Sequence, residues 1–163
     1  MNASTNNLPL TLRTTNSGFT LIELMVTIAV LAIIVGIAAP SISNQLANQR
    51  VKSTASMLEN ALKESRNESI IRRQEVTLSY KNNGNNMGDI TITDNNSNVI
   101  STYKYDVKSK IKPNNNQVQF KPNKTVDSGR WIYTICDDNA AANSKQVNIT
   151  KLGIVSSKLG GSC

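Results

Sequence analysis

Positions 19–39 read FTLIELMVTIAVLAIIVGIAA, an apolar run whose single charge is Glu23. A helix of that length rises about 30 Å, the thickness of one bilayer core. The core of a cleaved secretory signal would be shorter and would end at a small-residue cleavage site. Here the run is longer, and helical patterning continues beyond it. The pattern therefore predicts a retained membrane helix over 19–40. Ahead of it, residues 1–18 (MNASTNNLPLTLRTTNSG) are polar and aperiodic, which by itself reads as a tail. Charge does not orient the helix, since Arg13 stands on one side and Arg50 and Lys52 on the other.

Pro40 follows at once. Proline removes a helical hydrogen bond and bends the chain, so a kink is expected there. Apolar residues then resume at helical spacing: Ile42, Leu46, Val51, Leu58 and Leu62, with Ala47, Ala55 and Ala61 filling in. Gln45, Gln49, Lys52, Glu59, Lys63 and Arg66 occupy the other side. This predicts an amphipathic helix over 41–75 whose stripe needs a surface to lie on. Glu64, Glu68 and the neighbouring charges read as a solvated face.

Near Glu75 the period changes from 3.6 to two. Val76, Leu78 and Tyr80 alternate, as do Ile90 and Ile92, then 99–105, 117–120, 131–136 and one or two segments over 147–155. Asn- and Gly-rich stretches such as KNNGNNMG and DNNSN separate them. Five to seven short strands joined this way predict an antiparallel β-sheet over 76–163. The fold class is α+β: a long N-terminal helix, half membrane-spanning and half amphipathic, packed on a β domain.

Composition then narrows the chemistry. There is no His among the 163 residues, which removes Ser-His-Asp and Cys-His nucleophile systems and imidazole metal sites. Two cysteines cannot make a four-thiolate zinc site. No spacing singles out a nucleophile with a base, no Gly-rich phosphate loop is present, and nothing calls for a cofactor or a metal. A non-enzymatic protein is expected. The net charge is +7, and Lys104, Lys108, Lys110, Lys112, Lys121 and Lys124 fall close together, offset by Asp106, with Tyr103, Tyr105 and Phe120 interleaved. Such a stretch can contact DNA phosphates and stack bases. The plainer reading is a solvated, self-repelling loop that keeps strand edges apart.

The junction GFTLIELM, residues 18–25, resembles the processing signature of type IV pilins and type II secretion pseudopilins. The resemblance implies that a prepilin peptidase/N-methyltransferase cuts after Gly18 and methylates the new N-terminal Phe19, so that 1–18 is a cleaved leader. It also implies that Glu23 pairs with a Phe19 amine, its own or a neighbour's, and sets axial register during filament assembly. A carboxylate in a membrane helix costs about 2.5–3.5 kcal/mol, so it should have a partner. From position alone, a Glu so near the interface could instead snorkel into headgroups. Residues 57–80, MLENALKESRNESIIRRQEVTLSY, are similar to the helix-to-first-strand segment of the GspH/FimT (FimU-like) minor pilin branch. Arg66, Glu68, Ile70 and Arg72 match in spacing, and Ser65 and Ser69 stand where Ala is usual. The Phe120-Lys121-Pro122-Asn123 stretch and the strand holding Cys136 also look like that branch.

The resemblance implies a single-pass inner-membrane protein with a periplasmic C-terminal domain, assembled with other pilins or pseudopilins. Disulfides persist in that compartment. A Cys136–Cys163 bridge is therefore expected, the rival being one buried and one free thiol. Some FimT-type pilins bind DNA in natural transformation through a Gly-Arg-X-Arg motif. The matching stretch here keeps Gly153 but has Ile154 and Ser156 in place of the arginines, so DNA is an open partner but not the favoured one. The expected function is a minor type IV pilin that enters or primes the filament. The alternatives are a GspH-like pseudopilin of type II secretion and a DNA-binding pilin of transformation.

Overall fold

The computed structural model describes residues 18–114, 117–127 and 131–163, apart from the Pro40 side chain. The expected leader therefore lies outside the described residues, except Gly18. Helix α1 runs Leu21–Arg72. The kink expected at Pro40 falls on a residue whose side chain is outside the described set. The chain divides into two compact units, Met1–Ala38 and Ala39–Cys163. In the first, the apolar side chains of 21–37 are exposed, and this stretch is long and apolar enough to cross a membrane.

In the second unit α1 buries Ala47, Val51, Thr54, Ala55, Leu58, Ala61, Leu62, Ser65 and Ser69. These positions recur at i, i+3, i+4 and i+7 spacing, one face of a 3.6-residue helix. The face differs from the expected stripe at its start, because Ile42 and Leu46 are more than half exposed. It is also longer at its end. Ser65 and Ser69 are buried because their hydroxyls fold back onto the carbonyls of Ala61 and Arg66, each at 2.8 Å, which satisfies them without leaving the apolar contact. Their small size lets the β layers approach the helix closely. Arg73, at φ 54°, ends the helix in the left-handed conformation.

Among the described residues eight strands follow: β1 Val76–Lys81, β2 Gly88–Asp94, β3 Val99–Tyr105, β4 Ser109–Lys112, β5 Gln117–Phe120, β6 Trp131–Asp137, β7 Lys145–Ile149 and β8 Val155–Leu159. They form two four-stranded antiparallel sheets, β3-β2-β1-β5 and β4-β6-β7-β8, where one sheet of five to seven strands was expected. The chain visits the sheets alternately, since β4 belongs to the second and β5 returns to the first. One core cluster joins α1 to both sheets. Val51, Leu58 and Leu62 meet Leu78, Ile90, Ile92 and Phe120 from the first sheet and Ile111, Tyr133, Ile135 and Val147 from the second. Tyr80 of β1 meets Tyr133 of β6 edge-on, with ring centroids 5.6 Å apart.

Polar contacts lock these layers. The Asn82 side chain behaves like a peptide group: its Oδ1 accepts the Ile111 N–H at 3.0 Å and its Nδ2 donates to the Ile111 carbonyl at 2.8 Å. It thereby ties the end of β1 to the edge strand β4. The β6–β7 connection is fastened to α1 by Asn139 Nδ2 donating to Asn44 Oδ1 at 3.0 Å and by the Asn143 N–H donating to Asn48 Oδ1 at 2.7 Å. Beside them Arg50 donates from Nε and a terminal nitrogen to both oxygens of Asp137, at 2.8 and 3.0 Å. Two parallel bonds of this kind fix direction as well as distance.

The Asp137 carboxylate is fully buried. Burial by itself pushes its pKa up. The hydrogen-bonded Arg50 and the Asn139 N–H outweigh that, and the carboxyl is held below its ordinary value. A lowered folded-state pKa makes the pair's contribution complete above the ordinary value and removes it as pH falls further. Thermal melts below about pH 4 should therefore show a stability loss in the wild type that is shallower in Asp137→Asn. At pH 7, Arg50→Ala should cost on the order of 3 kcal/mol, because it strands a buried carboxylate. Superimposable acid profiles for wild type and Asp137→Asn would refute this account of the clamp.

Candidate functional site

Gly18 and Phe19 are exposed and precede the helix. A side chain built on Gly18 meets nothing within 4 Å, so the chain's own fold places no steric demand for glycine there. Thr20 caps α1: its Oγ1 accepts the Glu23 N–H at 3.3 Å, and its carbonyl accepts the Leu24 N–H at 3.2 Å. Thr20-Leu21-Ile22-Glu23 thus has the spacing of a capping box, with Glu23 in the first turn. A carboxylate there is favoured by the positive end of the helix. Sequence reading missed this cap, although the T-x-x-E spacing signals it. In the uncut chain, position 19 carries a peptide nitrogen and no amine, so pairing between Phe19 and Glu23 requires cleavage first.

The six lysines do not share one face. Lys104 lies on β3 of the first sheet, Lys110 and Lys112 on β4 of the second, Lys108 in the turn between, and Lys121 and Lys124 after β5. Lys110 holds Asp138 at 2.6 Å, Lys121 holds Asp127 at 2.6 Å, and Lys112 donates to the Cys163 carbonyl. The interleaved aromatics are not stacking platforms. Tyr105 and Phe120 are core residues, and Tyr103 donates its hydroxyl to Glu64. They face inward because each occupies a core-facing register of its strand, opposite the outward lysines. Glu64, read as solvated, also accepts from Ser101 at 2.6 Å and so joins α1 to β3.

A family model described as type II transport protein GspH matches residues 54–153. The chain belongs to the GspH family. The prokaryotic N-terminal methylation motif matches residues 13–39, across the junction described above. Among solved structures, the fold is similar to two crystal forms of the type IV minor pilin FimU from Pseudomonas aeruginosa PAO1. One is 17% identical over 69% of this chain and 98% of that one, with a TM-score of 0.56. The other is 16% identical over 71% and 96%, with a TM-score of 0.58. No curated protein sequence matches the chain. Family and fold are those of structural pilins with a long N-terminal helix.

The two cysteines of this GspH-family chain are bridged, Cys136 to Cys163, with Cα atoms 5.8 Å apart. The bridge explains an irregularity in β6. Tyr133 and Ile135 face the core, yet Thr134 and Cys136, on the opposite face, are also buried. The C-terminal tail covers them. The Gly160 N–H donates to the Ser144 carbonyl at 2.9 Å, and Ser144 Oγ donates to the Gly161 carbonyl at 2.7 Å. Gly161, at φ 119°, passes so close that a Cβ would stand 2.6 Å from Thr134 Cγ2. On the chain-entropy model, closing the 27-residue separation stabilises the fold by about 3.5 kcal/mol. Cys163→Ser should lower the melting temperature by several degrees. The same shift should appear in wild type with reductant and be absent when reductant is added to the variant. Equal melting temperatures for oxidised wild type and variant would show that the tail holds without its covalent link.

Proposed function

We propose that this chain is a minor type IV pilin, anchored in the inner membrane with its β domain in the periplasm, that enters or primes a pilus filament. One observation carries the reading: an apolar helix that begins inside GFTLIELM, at Leu21, leaves its spanning stretch exposed ahead of a GspH-family domain. Exposed apolar surface of that length needs lipid before assembly and the helices of other subunits after it. Gly18 is the cleavage residue, Phe19 the methylated N-terminus, and Glu23 the carboxylate that meets a Phe19 amine in the filament. In low dielectric that charge pair attracts strongly, so subunits dock at one axial register and repeat it head to tail.

Likeness to FimU, a type IV minor pilin, supports the pilus assignment. The GspH family description, type II transport, supports the second reading, a pseudopilin of the secretion machine. Deleting the gene separates them, since a pilus subunit affects twitching motility and a pseudopilin affects protein secretion. DNA binding in transformation is the least supported reading, given the dispersed lysines and the absent arginines around Gly153.

Two variants test the mechanism. Gly18→Val should block processing while leaving the β domain's melting temperature unchanged, because Gly18 touches nothing in the fold. Mass spectrometry of the membrane form should find the leader still attached, and a normal Phe19 terminus would refute the assignment. Glu23→Ala should insert, be processed and form its disulfide, yet accumulate in the membrane while the sheared filament fraction loses it. Incorporation at the wild-type level would remove Glu23 from the assembly mechanism.

A further inference from the structure

Arg66 is the basic residue of α1 that the fold leaves without a carboxylate where the helix meets the β7–β8 turn. Arg50 holds Asp137, Lys63 holds Glu59 at 2.7 Å and Arg72 holds Glu68 at 2.6 Å. Among the described residues no ion pair engages Arg66, and its Nε is buried with no hydrogen-bond acceptor. Burying a charged donor without an acceptor is costly. The turn creates this state. Gly153, at φ 67°, lies so close that a Cβ would stand 2.7 Å from the Lys124 carbonyl and 3.0 Å from Arg66 Nε. The guanidinium is thus pressed under a backbone that presents no side chain to it. Its surroundings form an open groove of about 350 Å³ lined by Lys63, Asn67, Gly153, Ile154 and Val155. Ile154 in that lining is 56% exposed, and Leu152, which precedes Gly153 in the turn, is 64% exposed.

We propose that this groove receives an acidic side chain or C-terminal carboxylate from a neighbouring pilin-type subunit. Arg66 is the charge anchor, and Leu152 and Ile154 are the apolar rim. The chemistry favours a protein over a nucleic acid. Phosphate tracking needs a row of unneutralised cations, whereas the basic residues lining this groove are Arg66 and Lys63, and Lys63 is already paired. One half-buried arginine with an unpaired Nε, bordered by exposed aliphatic residues, is the composition of a protein interface, where Arg is enriched and Lys depleted. The partner is sought among pilin-type subunits because the proposal rests on the filament reading above.

The test uses the full-length chain in cells carrying the complete assembly machinery. A photo-crosslinking p-benzoylphenylalanine replaces Ile154, and adducts are sought both in the membrane and in sheared filaments. The expected product is an ultraviolet-dependent adduct to another prepilin-type subunit, with Asp, Glu or a C-terminal carboxylate beside the crosslinked position. Arg66→Glu should reduce it about tenfold or more, Arg66→Lys should keep part of it, and changing the identified carboxylate to Lys should restore it in the Arg66→Glu background. Should Arg66→Glu fail to form the Cys136–Cys163 bridge, Arg66→Gln, which is polar and uncharged, takes its place and should show the same loss. No adduct, an adduct indifferent to both variants, or an adduct removed by nuclease overturns the proposal. Incorporation of the unmodified chain into filaments is scored separately. A chain that enters filaments without an adduct sinks the groove alone, whereas a chain absent from every filament sinks the minor-pilin reading.

Discussion

The domain depends on one seam of side chains along α1. Ala47, Val51, Ala55, Leu58, Ala61 and Leu62 form a buried surface, and Val51, Ala55, Leu58, Ala61 and Leu62 share one core cluster with residues of both sheets. Full burial of a leucine contributes about 1.5–3 kcal/mol, so Leu58 and Leu62 anchor the seam while the alanines and serines set how near the sheets come. The crossed connection, β4 in one sheet and β5 in the other, keeps the two sheets from separating. The Tyr80–Tyr133 contact and the Asn82 amide then join them where the helix does not.

The same helix carries a second constraint that its own chain does not meet. Through residues 21–37 its apolar side chains stay exposed. Water cannot be the lasting environment of such a surface. One helix therefore belongs to a core at one end and requires an outside apolar environment at the other. Placing Glu23 in the first turn, under the Thr20 cap, puts the single charge of that stretch where the helix end already favours it.

Much of this was legible from spacing. The helix, the strands with strict apolar alternation and the junction motif all announce themselves through residue type. What escaped did so because residue type and burial parted company. β4, Ser109–Lys112, alternates Ser and Ile against lysines, and a buried serine gives no apolar signal. Ser65 and Ser69 hide for the same reason. Ile42 and Leu46 fit the helical period, yet the buried face begins only at Ala47, and periodicity cannot report where a partner surface starts. The asparagines read as turn formers. Asn44, Asn48, Asn139 and Asn143 in fact fasten a turn to the helix through long-range amide bonds that no local pattern encodes.

Arg50 and Arg66 of α1 show how a shared residue type acquires opposite roles. At 3.6 residues per turn, positions 50 and 66 lie about 160° apart around the helix and about 24 Å along it. Leu58 falls midway between them in both senses, so they mark opposite margins of the seam. At one margin the end of β6 supplies Asp137, and Asp106 stands 3.8 Å from the same guanidinium. That charge is consumed inside the fold and orients the second sheet on the helix. At the other margin the β7–β8 turn supplies Gly153, a residue with no side chain to offer, and the buried Arg66 Nε keeps no acceptor. An arginine that closes a fold must meet an acid from its own chain. An arginine placed under a bare glycine backbone, beside exposed Leu152 and Ile154, has its binding capacity left for another molecule.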